Sequence, residues 1–97
     1  MTGAIRTAAG RVHAAHAEVL ACMHAWVLAE ERVIGMQRDT LYRLTAGEPA
    51  PPDSERRAAL TVLQRECRFR EWERARQDLR LLESALCTAL EEEAAAP

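Results

Sequence analysis

The chain has 97 residues and a formal net charge of -2; 48% of it is apolar, yet only Trp26, Tyr42, Phe69 and Trp72 are aromatic. At this length folding removes only roughly 60–65% of the unfolded chain's surface from water, so the internal core is thin and a partner is expected to matter. The slightly acidic balance, without any long block of like charge, excludes a nucleic-acid binder that works by neutralising phosphates.

Alanine, leucine, glutamate and arginine dominate and favour helix over sheet. Lysine and asparagine are absent and all thirteen basic residues are arginine, a bias expected of a bacterial, GC-rich genome. No apolar run approaches the ~20 residues a membrane-spanning helix needs, and the amino terminus lacks the charged and apolar regions of a signal peptide, so a cytoplasmic protein with no membrane partner is expected. Cys22, Cys67 and Cys87 lack metal-type spacing and are read as three buried thiols of a reducing compartment.

In chain order, the first predicted element is a helix over about 4–46. It carries a seven-residue repeat: Ile5, Val12, Val19, Trp26 and Val33 on one line, and Ala8, Ala15, Cys22, Ala29 and Met36 three residues further on. Those are the a and d positions of a coiled-coil seam. The break is "GEPAPPD", residues 47–53, where Gly47 can end a helix in the left-handed conformation and Pro49, Pro51 and Pro52 forbid its continuation. Asp53 or Ser54 then caps a second helix over about 54–93, with Trp72, Leu79 and Leu86 at a, and Ala75, Leu82 and Ala89 at d.

The fold expected is all-α: one domain over 1–97, an antiparallel two-helix hairpin packed like a coiled coil, two copies of which join in a four-helix bundle. The predicted register pairs Val12 with Ala89, Ala15 with Leu86, Val19 with Leu82, Cys22 with Leu79, Trp26 with Ala75 and Ala29 with Trp72, so that each tryptophan meets an alanine. The same register brings Arg6 to Glu91, Glu92 and Glu93 at the open end. Opposite Val33 and Met36 it places Arg68 and Arg65, where the seam is expected to end and the apolar stripe of the second helix to move to Leu60, Leu63, Cys67 and Phe69.

All three histidines lie in "RVHAAHAEVLACMHAW", Arg11 to Trp26. His13 and His16 share a face, and the predicted register sets Glu83 and Cys87 across from them, a set of donor types able to hold zinc. Ordinary flanking side chains are the preferred reading, with no metal and no cofactor. His24 is roughly 16 Å from His13 along the axis and is read as solvated rather than as a phosphoacceptor. Glu-x-x-His di-iron motifs, Cys-x-x-Cys-His haem attachment and glycine-rich phosphate loops are all missing. A two-helix hairpin offers too little concavity for a small-molecule substrate, so an enzyme is not expected. In "RECRFREWERARQDLR", Arg65 to Arg80, six arginines are interleaved with four acids, which fits a solvated helix face with pairs such as Glu66 with Arg70 and Arg74 with Asp78.

The tripeptide "LYR", Leu41 to Arg43, resembles the motif of the LYR family of small mitochondrial helical proteins; there it opens the first helix, here it closes one, and it is read as a chance match. The architecture resembles that of small bacterial secretion chaperones and of dimeric antiactivators of transcription factors, with no motif shared.

A hairpin seam needs only a and d, yet the first helix carries another heptad line at b: Leu20, Val27, Ile34 and Leu41. With Met23, and with Val62 and Phe69 at e positions of the second helix, these form a patch on the flank near the turn. The function expected is a protein–protein interaction module of adaptor, chaperone or inhibitor type, acting through this face on a protein partner or as a homodimer. The alternatives are a metal-binding or sensing bundle using His13, His16, Glu83 and Cys87, and a small structural subunit of a filament or secretion assembly.

Overall fold

A computed structural model describes residues 2–97 and contains two α-helices: α1, Gly3–Ala46, and α2, Ser54–Ala95. They pack side by side into a rod of 77 × 17 × 15 Å with a radius of gyration of 21.7 Å, against roughly 12.5 Å for a compact chain of this length. No strand is present among the described residues.

The ends of α1 are written in its sequence. The Thr2 hydroxyl accepts the Ile5 backbone N–H at 3.3 Å, satisfying one of the donors left free at a helix start. At the other end Gly47 takes φ 71°, Glu48 N–H donates to the Arg43 carbonyl at 2.9 Å and Gly47 N–H to that of Leu44 at 3.3 Å. This pair of bonds is the Schellman closure, for which a residue without Cβ is favoured. Asp53 occupies the cap position of α2 in the left-handed conformation, φ 62°, and its side chain makes no capping bond.

Packing follows the heptads. On α1 Ile5 and Val33 are buried and Val12, Val19 and Trp26 half-buried; on the line three residues further Ala29 is buried and Ala8, Ala15, Cys22 and Met36 half-buried. On α2 Ala75 is buried, and Trp72, Leu79, Leu82, Leu86 and Ala89 are half-buried. Among the described residues only Ile5, Ala29, Val33 and Ala75 are buried, with Val33 at 1% exposure. A single helix–helix seam hides one stripe of each helix and nothing more.

The register differs from the expected one by about a heptad. Ala75, expected over Trp26, lines one shallow groove with Glu18 and Cys22 and another with Ala14 and Ala15, which sets it at the level of Val19. Arg65, expected opposite Met36, reaches Glu30 at 3.4 Å. The slip has a physical reason at the open end. Ile5 is only 3% exposed, whereas in the expected register it would stand beyond the last turn of α2. Consistent with the slip, no ion pair joins Arg6 to Glu91, Glu92 or Glu93 among the described residues.

The seam also continues where it was expected to end. Arg65 stays half-buried, and Phe69 takes the inward place that Arg68 vacates; Arg68 turns out to Glu71 at 3.0 Å. Leu60, Leu63 and Cys67 are exposed, so the apolar stripe of α2 does not move onto them. Of the surface pairs, Arg43 with Asp39 forms, at 3.0 Å; Glu66 with Arg70 and Arg74 with Asp78 do not.

Candidate docking face

The rod has two unlike flanks. On one, Arg11, Glu18, Glu71, Arg74 and Asp78 border the shallow grooves beside Ala75. Charged residues here stand along both sides of the seam and stay in water. On the other flank α1 presents Leu20, Met23, Val27, Ile34 and Leu41, all exposed, Leu20 by 53% and Leu41 by 65%. Heptad spacing puts Leu20, Val27, Ile34 and Leu41 on one line about 31 Å long, at 1.5 Å per residue. No helix of the hairpin covers it.

α2 contributes less to this flank than its sequence implies. Val62 and Phe69 are half-buried inside the hairpin rather than free on its surface. The Phe69 ring lies 5.4 Å from that of Trp26 and 5.8 Å from that of Trp72, both tilted, and the two indoles stack at 5.1 Å with 8° between their planes. Arg76 covers Trp72 at 4.7 Å, a cation over an aromatic face. The Trp72 Nε1–H is buried with no acceptor, a cost tolerated for the area the ring covers. The three rings thus pack against one another between the two helices.

One charged pair sits within the apolar flank. Arg65 Nε meets Glu30 Oε1 at 3.4 Å, and its other nitrogen reaches Glu66 at 3.5 Å. With side-chain exposures of 27% and 36%, Arg65 and Glu30 neutralise each other at little net gain or cost. With Glu66 counted, one guanidinium faces two carboxylates, so the cluster is weakly negative rather than strongly charged.

Near the turn the seam thins. Small and polar residues, Thr40, Ala58 and Thr61, line a cleft of about 510 Å³ that Ala50 and Pro51 border on the turn side. Its rim is ionic: Arg43 is tied to Asp39, and lies 3.9 Å from Glu48. Tyr42 and Leu44, beside it on α1, are exposed.

His13, His16, Glu83 and Cys87 are all exposed, and they do not assemble. Among the described residues no three of the histidine, cysteine, aspartate and glutamate side chains are grouped so as to hold a metal ion. The heptad slip explains this, because it carries Glu83 and Cys87 about 10 Å along the axis from the positions expected beside His16 and His13. His24 is exposed as well. Of the three cysteines expected to be buried, Cys67 and Cys87 are exposed, because a single seam hides only one stripe of each helix, and Cys22 alone is drawn toward the seam. Partial burial, the hydrogen bond it donates to Glu18 at 3.4 Å and that carboxylate's charge raise its pKa above the ordinary thiol value, so less of it is thiolate at neutral pH. No helix among the described residues is long and apolar enough to cross a membrane.

Comparison with protein families, with curated proteins and with solved structures finds no match to this chain.

Proposed function

We propose that the protein is a non-enzymatic interaction module that docks helix against helix through the α1 stripe of Leu20, Met23, Val27, Ile34 and Leu41. The observation that carries this reading is the unequal treatment of the flanks: one is lined with charge, the other holds a continuous run of large apolar side chains with no helix over it. Patches of this kind mark surfaces that are covered in the working state. Covering the stripe with two further helices completes a four-helix bundle, the usual solution for helices whose apolar arc exceeds a single seam. An adaptor, chaperone or inhibitor would use such a face.

The test is site-specific photo-crosslinking in cells of the protein's source. p-Benzoylphenylalanine at Val27 or Ile34 is expected to give covalent protein adducts, whereas the same group at Asp78, on the charged flank, gives few or none. Equal yields from Val27 and Asp78, or none from either, would remove the reading.

A further inference from the structure

The helices that cover the stripe can be narrowed to one source, an inference that rests on the docking reading above. We infer that they belong to a second copy of this chain, so that the working unit is a two-fold dimer closed over Leu20, Val27, Ile34 and Leu41.

Surface area is the first argument. The chain exposes 7567 Å². A compact monomer of 10.8 kDa exposes about 5,500 Å², which leaves a surplus of roughly 2,000 Å². Obligate dimers hide on the order of 1,000–2,500 Å² per partner, and a smaller stable contact about 800 Å². The surplus is thus the size that one equal partner removes. With only four buried residues among those described, the hairpin has little other means of hiding apolar surface.

The second argument is charge. A face built for a strongly acidic or basic partner carries the opposite sign around it. Here the charge beside the stripe is small, since Arg65 offsets one of the two carboxylates it meets, Glu30 and Glu66, and the chain's net charge is only -2. Two copies therefore approach with little repulsion. The third argument is shape. Leu20, Val27, Ile34 and Leu41 recur at one interval with side chains of similar size, so the line complements a copy of itself, as a closed two-fold contact requires.

The test is sedimentation equilibrium of the full chain at micromolar concentration, with circular dichroism of each variant. The unmodified protein is expected at twice the 10.8 kDa of the chain. The variant Val27→Glu/Ile34→Glu is expected to weaken the dimer by at least about a hundredfold, since each copy would bury two unpaired carboxylates. Leu20→Glu/Leu41→Glu, at the more exposed ends of the line, keeps the test valid if the first pair unfolds the hairpin, and should weaken the dimer while retaining helical content. Leu60→Glu/Leu63→Glu, on the outer side of α2, should leave it intact. A monomeric unmodified protein overturns the second copy as partner; the docking reading then stands or falls on whether crosslinks from Val27 capture another protein. A dimer that survives both stripe variants but dissociates in the Leu60 and Leu63 variant overturns the choice of face.

Discussion

The two halves of the rod handle apolar residues in opposite ways. Toward the free ends, Val12, Ala15 and Val19 share the seam with Leu79, Leu82 and Leu86, Ile5 is closed off, and the flanking grooves are bordered by charge. From the middle toward the turn, the α2 side of the seam falls to Arg65, Thr61 and Ala58, a cleft opens, and large side chains of α1 point outward instead. Only Ala29 and Val33 are sealed there. The free-end half is finished as a hairpin, while the turn half is finished only when something else lies against it. Isolated exposed residues of the free-end half, such as Leu81 and Leu90, do not form a line and need no such account.

Substitutions in the two halves sharpen this contrast. The largest effect is expected at Val33, 1% exposed and the main apolar anchor of the turn half. Val33→Ala should cost on the order of 2 kcal/mol, and Val12→Ala, at a half-buried position of the free-end half, clearly less. Urea unfolding at one fixed chain concentration measures both, because association would otherwise shift apparent stability. A larger loss at Val12 would reverse the assignment of which half has the more critical packing.

A smaller difference separates the two buried alanines. Ala29 is buried, at 4% exposure, and Ala29→Leu should overpack the seam by about 1–3 kcal/mol. Ala75→Leu lies beside a groove of about 370 Å³, into which the longer side chain can turn, so it should cost less than ~1 kcal/mol. Thermal melts of the two variants decide the order. Equal losses would mean that Ala75 is packed as tightly as the expected register had it, under Trp26.

Much of the fold was legible in the sequence because a heptad pattern is redundant. Five successive a residues and five d residues on α1 identify its inner face, and the glycine and prolines of 47–53 mark the turn within a residue or two of where the helices stop and start. The register was not legible for the same reason: sliding one helix by seven residues sets a against d again, so the pattern alone cannot tell one pairing from the next. What distinguishes them is the burial of Ile5 at the open end and the reach of Arg65 to Glu30, and neither is a matter of periodicity. The slip also undoes the juxtaposition of His13 and His16 with Glu83 and Cys87. The exposed line at b was readable directly from spacing, whereas the inward turn of Val62 and Phe69 depends on two tryptophans drawing Phe69 into a cluster. A signal was present in the three rings falling at nearby levels, but it points to a cluster only once the register is known.

The most direct measurement of the central claim is hydroxyl-radical footprinting of the purified protein across a dilution series. Oxidation at Leu20, Met23, Val27, Ile34 and Leu41 is predicted to fall as concentration rises, while Leu60, Leu63 and Leu81 remain equally reactive throughout. Uniform reactivity of the α1 line at every concentration, or protection that appears first on α2, would contradict the account.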